Sequence, residues 1–344
     1  MIRLRKDFLK GEKPAACQEC WNFEKRGLQS ERLSPGNMEL SNQHQEKIRN
    51  EYKDGIVKEM IGLEIRPSNA CNFTCRMCTP EVSSSWAKKD KEWQLYPNEA
   101  NTGLIKAYKS SEELVQELSP FFSGLEFIKI HGGEPLFEPQ VLDLLKALQP
   151  YKEKVWLRWM TNLSIVNHPF YTSDLLKGWK RMATAISIDG PPPVNEYIRK
   201  GLDTALFEKN LEKLQLLGAD IFFHISLQAM NIIFIPEFIN YILKLKPYRL
   251  TFSRVDYPTE LATIALSKES KESAYERLLK YQESSSFTQA PDKLKEDIHL
   301  LIVESLKILK EPVPQIQEKL WQKLIDWNYR IDGDKSLFTN MIKT

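Results

Sequence analysis

The residues best suited to chemistry are three cysteines that lie close together in the chain. Residues 71–78 read CNFTCRMC, so three of the five cysteines are spaced C-x3-C-x2-C. Thiolates are soft ligands, and three of them on one short loop favour an iron–sulfur cluster or zinc. A structural zinc site would need a fourth Cys or His at a recognisable spacing, and none follows closely. A cluster of four irons held by three thiolates leaves one iron open. The alternatives are a zinc knuckle or three unrelated thiols.

The loop follows a predicted strand. Residues 62–66 read GLEIR and alternate in polarity as a strand does, and Pro67-Ser68-Asn69 ends the run. The thiols are therefore expected just past the carboxyl end of a strand.

This loop resembles the C-x3-C-x-Φ-C signature of the radical S-adenosylmethionine (radical SAM) superfamily, with Met77 at the apolar or aromatic position Φ. The resemblance implies that Cys71, Cys75 and Cys78 hold a [4Fe–4S] cluster. It also implies that the open iron chelates the amino and carboxylate groups of SAM. In that family an electron from the cluster cleaves SAM to methionine and a 5′-deoxyadenosyl radical, which abstracts hydrogen from a substrate.

A second motif follows the next predicted strand. Gly132, Gly133, Glu134 and Pro135 come directly after residues 126–131. Two glycines let a backbone approach a ligand closely, and a carboxylate accepts a hydrogen bond from an ammonium group. The run resembles the family's GGEP motif, which implies binding of the SAM amino group. An ordinary Gly-Pro turn is the alternative.

Polar residues at the ends of three later strands are further candidates for binding SAM. By the same resemblance, these are Asn162, Ser187, Asp189, Ser226 and Gln228. Asn162 can equally cap a turn, and Asp189 can equally begin an Asp-Gly-Pro turn. Alternation along the fifth strand places Ser226 and Gln228 on one face.

Three other features have weaker support. Arg199 recurs in similar sequences and is expected either to pair a carboxylate or to be an exposed helix arginine. His224 shares the face of Ser226, but a lone strand histidine is more often a core residue than a catalyst. Residues 254–257 are candidates for contacting substrate, although no motif supports them.

The elements that must position these residues alternate between strand and helix. The predicted strands are 62–66, 126–131, 155–160, 183–188, 221–227 and 248–253, and the helices between them include 111–122, 138–148 and 204–217. Alternating strands and amphipathic helices predict a parallel sheet. The fold class is α/β, resembling the partial (β/α)6 TIM-like barrel of the radical SAM core. In such barrels the chemistry lies at the carboxyl ends of the strands.

We predict three regions: an N-terminal extension over 1–58, a radical SAM core over 59–262 and a C-terminal helical cap over 263–344. Residues 79–110 are a long insertion, interpreted as a functional loop such as a lid. In the extension, Cys17 and Cys20 form a C-x2-C pair. The pair is interpreted as two ligands of a second metal centre, as a redox pair, or as two thiols in an N-terminal extension that Trp21 and Phe23 pack on the core. We favour the last because no further cysteines complete a second cluster.

Composition excludes several classes. The 344 residues carry 48 Lys+Arg against 46 Asp+Glu, a net charge of +2, so no global basic field points to nucleic acid. The opening residues contain no apolar signal region, and the most apolar stretch, 221–243, is interrupted by polar residues. Cysteines in two tight clusters indicate metal ligands in a reducing compartment. We therefore predict a cytoplasmic protein without a membrane span.

The resemblance implies an enzyme with an external electron donor of the flavodoxin or ferredoxin type. The sequence resembles the peptide- and protein-modifying twitch/SPASM-like subgroup, but it lacks auxiliary-cluster cysteines, because no cysteine follows Cys78. A peptide or protein is the first expected substrate. A small molecule or nucleoside, as in deazapurine synthesis, is the alternative. A non-catalytic metal-binding interaction module is the alternative from another class.

Overall fold

A sheet of six parallel strands is the centre of the computed structural model. Its order is β1-β3-β4-β5-β7-β8. Two short strands, β2 and β6, pair antiparallel as a separate sheet. The strand bounds are β1 Gly62–Ile65, β2 Thr74–Cys75, β3 Phe127–Ile130, β4 Trp156–Thr161, β5 Arg181–Ser187, β6 Arg199–Lys200, β7 Asp220–Leu227 and β8 Arg249–Arg254.

The structure describes residues 2–25, 27, 30–33, 46, 50, 60–96, 103–165, 168–284, 287 and 289–334. The helices are α1 Ile2–Leu9, α2 Gln18–Lys25, α3 Ser84–Trp93, α4 Ser111–Leu118, α5 Gln140–Leu148, α6 Pro169–Thr172, α7 Pro192–Ile198, α8 Thr204–Gln215, α9 Ile235–Leu245, α10 Lys268–Glu283, α11 Asp292–Leu309 and α12 Gln317–Asp332. Much of the predicted extension over 1–58, part of the insertion at 97–102 and the end of the predicted cap at 335–344 lie outside the described residues.

All six predicted strands form, and each pairs in parallel with its neighbours in the sheet. Strands β1 and β8 are the two edges of the sheet and do not pair among the described residues. The predicted α/β partial barrel is confirmed.

The two faces of the sheet bury different side chains. Leu157 of β4 and Phe223 of β7 lie in the main core. A smaller cluster on the opposite face contains Ala183 and Ala185 of β5 with Phe222 of β7. Alternation along a strand produces this division, since successive side chains point to opposite faces. The large apolar residues join the main core, and the central strand β5 presents small residues on the other face.

Two large apolar side chains are exposed, and the residue that follows each of them is buried. Phe121 is 42% exposed and Phe122 is buried, because α4 ends at Leu118 and a tighter helical turn over Ser119–Gly124 rotates the next residues. Leu206 in α8 is 45% exposed, whereas Phe207 is buried. By contrast, helix α5 buries Val141, Leu144, Leu145 and Leu148.

The interpretation of residues 79–110 as a loop is wrong in its first part, which forms α3. Ser83 caps this helix, since its hydroxyl accepts the Trp86 N–H. Trp86 and Trp93 bury their rings, with ring centroids 4.9 Å apart in an edge-to-face arrangement. A helix anchored by two buried tryptophans is part of the core and is not a lid.

Helices of the C-terminal region pack against the sheet. Asp297 of α11 accepts two hydrogen bonds from the Arg249 guanidinium, at 2.6 and 2.7 Å, and one from the Leu250 N–H at 2.9 Å. Helix α11 therefore covers the β8 edge of the sheet. Among the described residues, no helix is both long enough and apolar enough to span a membrane.

Candidate active site

The three clustered cysteines lie on the loop that leaves the carboxyl end of β1. Cys75 is in β2 and is 4% exposed, and Cys71 and Cys78 are half-buried. The Cys78 N–H donates to the Cys75 carbonyl at 2.9 Å. Met77 is half-buried and packs against the main core. The loop is therefore a tight turn that brings Cys78 back onto Cys75.

Three consecutive serines at the start of α3 hold this loop. Ser83 and Ser85 donate to the carbonyls of Phe73 and Cys71, at 2.9 and 2.7 Å. Ser84 accepts the Cys71 N–H at 3.2 Å. These bonds satisfy backbone groups that an irregular loop would otherwise leave unpaired. The insertion after the cysteines thus supports the cysteine loop.

Trp86 adds a fourth contact from the same helix. Its indole N–H donates to the Cys75 carbonyl at 2.6 Å, and the ring is fully buried against Tyr96 and Trp327. The loop backbone is therefore fixed by an aromatic cluster that includes α12.

The environment of the thiols differs from one to the next. Burial, together with the neighbouring Cys75, raises the pKa of Cys71 to about 12. A hydrogen bond from the Cys78 thiol lowers the pKa of Cys75, and the Arg199 charge acts in the same direction. Donation of that hydrogen bond raises the pKa of Cys78. Iron in place of the protons would leave all three as thiolates.

Arg76, between the cysteines, anchors the loop to distant parts of the chain. Its guanidinium donates to the Tyr197 carbonyl at 2.7 Å, to Asn328 at 2.9 Å and to both oxygens of Asp332 at 2.7 and 2.8 Å. The side chains of Arg76 and Asp332 are 2% and 6% exposed. The cysteine loop is therefore joined to α12 by a buried ion pair.

The paired glycines pack directly against the cysteine loop. A Cβ on Gly133 would lie 2.2 Å from the Ala70 carbonyl oxygen, and one on Gly132 would lie 2.6 Å from that of Ser68. Gly132 also has φ +148°, which other residues rarely adopt. Contact between two backbone segments accounts for both glycines in this structure. Their predicted approach to a ligand stays a prediction.

Glu134 is buried and its carboxylate binds groups of the protein. It accepts the Asn162 N–H at 2.7 Å, the Thr161 hydroxyl at 3.1 Å and the Leu136 N–H at 3.5 Å. Burial raises the pKa of Glu134 to about 7 despite these bonds. Pro135 follows it as the first residue of a single helical turn. A carboxylate has about four acceptor positions, so one remains for a ligand.

Asn162 lies beside the first cysteine. Its amide nitrogen is 4.0 Å from Cys71 Sγ and donates to the Asn72 side chain at 2.9 Å. Its side-chain oxygen accepts the Ser164 N–H at 2.9 Å, as expected for the predicted turn. The structure thus contains the turn and also places the side chain at the site.

Asp189 and Arg199 form a buried ion pair next to the second cysteine. Arg199 Nη2 lies 2.9 Å from Asp189 Oδ2, and Arg199 Nη1 donates to Cys75 Sγ at 3.8 Å. The side chains are 8% and 0% exposed, so Arg199 is not an exposed helix arginine. Arg199 is the first residue of β6, just after α7. It pairs a carboxylate as expected, and that carboxylate belongs to Asp189.

Residues at the carboxyl ends of β5 and β7 come together. The Ser226 N–H donates to Asp189 Oδ1 at 2.8 Å, and Ser187 is the register neighbour of His224. Gln228 is fully buried, and its Oε1 has no hydrogen-bond partner among the described residues. The structure therefore brings these candidates together at the carboxyl ends of the strands. Their contacts with SAM stay predictions.

His224 is held between two hydroxyl groups of β8. Its ring nitrogens lie 2.9 Å from Thr251 Oγ1 and 3.2 Å from Ser253 Oγ. Burial, with the charges of Arg199, Arg158 and Lys129, lowers the pKa of His224 to about 4. A neutral, hydrogen-bonded ring is consistent with the expected core histidine.

The other predicted positions lie elsewhere. Arg254, at the end of β8, forms an ion pair with Glu311 at 2.9 Å. Cys17 and Cys20 lie on the N-terminal segment and are half-buried. Trp21 donates to the Pro14 carbonyl and packs on Phe8 within that segment. No group of three or more His, Cys, Asp or Glu converges on a single metal ion in the described part of the chain.

Several residues that build the site were not singled out in the sequence. Asn195 accepts the Asp189 N–H at 2.8 Å, and Asn231 accepts the Gln228 N–H at 2.9 Å. Asn328 and Asp332 bind Arg76 from the far end of the chain. The asparagines near Asp189 and Gln228 are a detectable signal, since Asn commonly bonds nearby backbone. Nothing local marks Asn328 or Asp332.

Comparisons with known proteins complete the description. No family model matches the chain. It is 29% identical to a GTP 3′,8-cyclase of Sulfurovum sp. (strain NBC37-1) over 166 residues, which are 44% of each protein. It is 27% identical to a GTP 3′,8-cyclase of Campylobacter lari over 184 residues, 53% of this chain and 47% of that one. The chain thus spans about half the length of these curated relatives.

The cysteine loop lies at the end of the first of six parallel strands, where the resemblance to the radical SAM superfamily predicts it. These similarities support the expected resemblance of the chain to the radical SAM superfamily. The cofactors of that superfamily are a [4Fe–4S] cluster and SAM. The donor set of this chain fits such a cluster, because its three thiols share one loop and each would bind a different iron.

Two solved structures also resemble this chain in part. One is anSMEcpe with bound AdoMet, at TM-score 0.49 and 18% identity, covering 67% of this chain and 62% of that one. The other is SuiB of Streptococcus suis bound to S-adenosylmethionine, at TM-score 0.46 and 18% identity, covering 73% and 54%.

Proposed function

We propose that this chain is an enzyme that reductively cleaves SAM at a [4Fe–4S] cluster held by Cys71, Cys75 and Cys78. The observation that carries the proposal is the packing of the Gly132–Gly133 backbone onto the loop that leads into the three thiols. When bound, the cluster supplies the electron that cleaves SAM to methionine and the 5′-deoxyadenosyl radical that abstracts hydrogen from the substrate.

The protein's part is to bind and orient the two cofactors. The three thiols come from one loop, which the α3 serines and Arg76 hold in place. Glu134 keeps one acceptor position for the SAM ammonium group beside that loop. Gln228 offers a buried oxygen without a protein partner in the described residues, which suits a donor group of SAM.

We propose a small molecule of nucleotide type as the substrate class. The support is that the curated relatives are named GTP 3′,8-cyclase. This choice replaces the peptide as the first expectation, and the peptide stays an untested prediction. The electron comes from an external donor of the flavodoxin or ferredoxin type.

The first experiment tests the cofactor chemistry. The full chain is reconstituted with iron and sulfide without oxygen, reduced with dithionite and supplied with SAM, and 5′-deoxyadenosine is measured by chromatography. We expect about four irons per chain and production of 5′-deoxyadenosine. The Cys71→Ala variant is expected to lose both. Bound iron with no 5′-deoxyadenosine would favour the non-catalytic metal-binding module.

The second experiment tests the substrate class. GTP and other nucleoside triphosphates, each carrying deuterium on the ribose, are compared with deuterated peptides in the same assay. Transfer of deuterium into 5′-deoxyadenosine identifies the molecule from which hydrogen is abstracted. Transfer from a peptide and from no nucleotide would overturn the proposed class and leave the cofactor chemistry standing.

A further inference from the structure

Arg199 is brought to the cysteine loop by backbone pairing. Strands β2 and β6 are antiparallel, and Cys75 is the direct register partner of Arg199. The Arg76 N–H donates to the Ile198 carbonyl at 2.8 Å beside this pair. The short two-stranded sheet therefore fixes the distance between the guanidinium and the second thiol.

The guanidinium lies between a sulfur and a carboxylate. Nη1 is 3.8 Å from Cys75 Sγ, and Nη2 is 2.9 Å from Asp189 Oδ2. Asp189 is itself fixed, since its other oxygen accepts the Ser226 N–H at 2.8 Å. Both side chains are almost completely buried, so solvent screens their charges little. The positive end of this ion pair faces the thiol.

We propose that Arg199 is a positioning residue that raises the reduction potential of the cluster bound through Cys75, and that Asp189 limits the rise. This inference rests on the proposed function. Reduction transfers one electron from the external donor to the cluster and breaks no bond. It adds one negative charge, which a nearby cation and a hydrogen bond to the ligand sulfur stabilise. An arginine keeps its charge at every working pH.

The two members of the pair act in opposite directions. Removal of the Arg199 charge disfavours the added electron, so the midpoint potential becomes more negative. Removal of the Asp189 charge leaves the Arg199 charge less compensated, so the midpoint becomes more positive. A pair that served only to hold the fold together would not produce shifts of opposite sign.

The test is a redox titration of the reconstituted cluster without SAM, followed by the EPR signal of the reduced form. In Arg199→Met we expect the ratio of reduced to oxidised cluster at a fixed potential to fall about tenfold, which is about 59 mV for one electron. In Asp189→Asn we expect the ratio to rise. Arg199→Lys keeps the charge and is expected to lie nearer the wild type.

Arg249→Met is the matched control. Arg249 also pairs with a carboxylate, that of Asp297, but it lies at the amino end of its strand, away from the cysteines. We expect its midpoint to equal that of the wild type. Iron and sulfide are counted for every variant before titration. If Arg199→Met holds no cluster, Asp189→Asn decides, and an unchanged or more negative midpoint overturns the inference.

Other outcomes separate the two proposals. Unshifted midpoints in Arg199→Met and Asp189→Asn, in a protein whose wild type cleaves SAM, would overturn this inference alone. The same would hold if Arg199→Met lost only SAM affinity, since Arg199 would then be a ligand of SAM. A wild type that holds no cluster would overturn the proposed function and this inference together.

Discussion

Glu134 is a carboxylate in a position where a charge is disfavoured. It is 1% exposed, and its bonds to Thr161 and Asn162 link the end of β3 to the end of β4. The resemblance of residues 132–135 to the family motif predicts that Glu134 binds SAM, and in the structure its carboxylate also holds the backbone of Asn162. The two roles have separate measurable consequences.

The first consequence is a dependence of stability on pH. Burial raises the pKa of Glu134 from 4.5 to about 7 in the folded protein. The folded state therefore binds the proton more tightly than the unfolded state. The stabilisation that this bound proton contributes to the folded state is complete below about pH 4.5. It is lost as the pH rises through about 7.

The variant Glu134→Gln does not titrate at this position. Between pH 4.5 and 7.5, we expect the wild type without cofactors to lose up to about 3 kcal/mol of unfolding free energy relative to this variant. Urea unfolding at several pH values measures the difference. A difference that stays constant with pH would contradict the buried carboxyl.

The second consequence concerns SAM. A charge-assisted hydrogen bond is worth about 2 kcal/mol, so Glu134→Ala is expected to weaken SAM binding roughly thirtyfold. Its cluster is expected to assemble, because Glu134 is not a cluster ligand. The measurement is a SAM titration of the reconstituted variant, followed by EPR. Unchanged affinity would mean that residues 132–135 are only a turn.

At the scale of elements, the contact between the glycine turn and the cysteine loop is the tightest part of the site. A side chain at Gly133 would clash with two carbonyl oxygens, those of Ala70 at 2.2 Å and Asn69 at 2.6 Å. Backbone atoms cannot move aside as the end of a flexible side chain can. The loop that carries the thiols would therefore have to shift.

We expect Gly133→Ala to lose about 1–3 kcal/mol of unfolding free energy and part of its iron after reconstitution. Gly62→Ala in β1 is the control, because its Cβ would meet only Phe127 Cδ1 at an ordinary 3.6 Å. The control is expected to keep its iron and to gain up to about 1 kcal/mol. Urea unfolding and iron analysis measure both. Equal behaviour of the two variants would mean that the loops separate easily.

Some of these elements could be predicted from the sequence, and others could not. The six strands were predictable, because their apolar runs are long and turn residues bound them. Helix α3 was not, since Ser83–Ser85 and the lysines after Trp86 read as a polar loop when the burial of Trp86 and Trp93 is unknown. The cysteine and Gly-Gly-Glu-Pro motifs marked two loops that the structure packs against each other.

The partners of the site residues could not be predicted in the same way. The contact between Arg199 and Cys75 depends on the pairing of β2 with β6, which involves only two residues from each strand. Such short pairing leaves no periodic pattern in a sequence. Tertiary contacts of this kind appear only when the chain is folded.

At the scale of the whole molecule, Arg76 connects the cysteine loop to the last described helix. The pair with Asp332 is buried on both sides, so its loss leaves an uncompensated charge. Asn328 from the same helix binds the same guanidinium. The C-terminal region, which has no cysteine of its own, therefore helps to hold the cysteine loop in place.

We expect Asp332→Asn to lose about 3–5 kcal/mol of unfolding free energy and to retain less iron than the wild type. The control is Asp326→Asn, which removes an exposed pair with Arg330 nearer the start of α12. Its expected loss is about 0.3–0.5 kcal/mol, with full iron content. Chemical unfolding and iron analysis provide both values. Full iron content and wild-type stability in Asp332→Asn would show that the loop is held without α12.

The N-terminal cysteines are expected to be dispensable for SAM cleavage. Two thiols do not complete a second cluster, and the first cluster has its three. The double variant Cys17→Ser/Cys20→Ser should therefore still form 5′-deoxyadenosine under reducing conditions without oxygen. Loss of turnover with the first cluster intact would reveal a second centre.

The bond between Arg76 and Asp332 joins residues 256 positions apart in the chain. A ribosome that adds about 5–20 residues per second makes Asp332 about 13–50 s after Arg76. Throughout that interval the cysteine loop of the nascent polypeptide lacks its anchor, and its thiols are open to oxygen and to stray metal ions. Under the proposed function, iron and sulfide delivered within that interval would meet a cysteine loop that α12 has not yet closed.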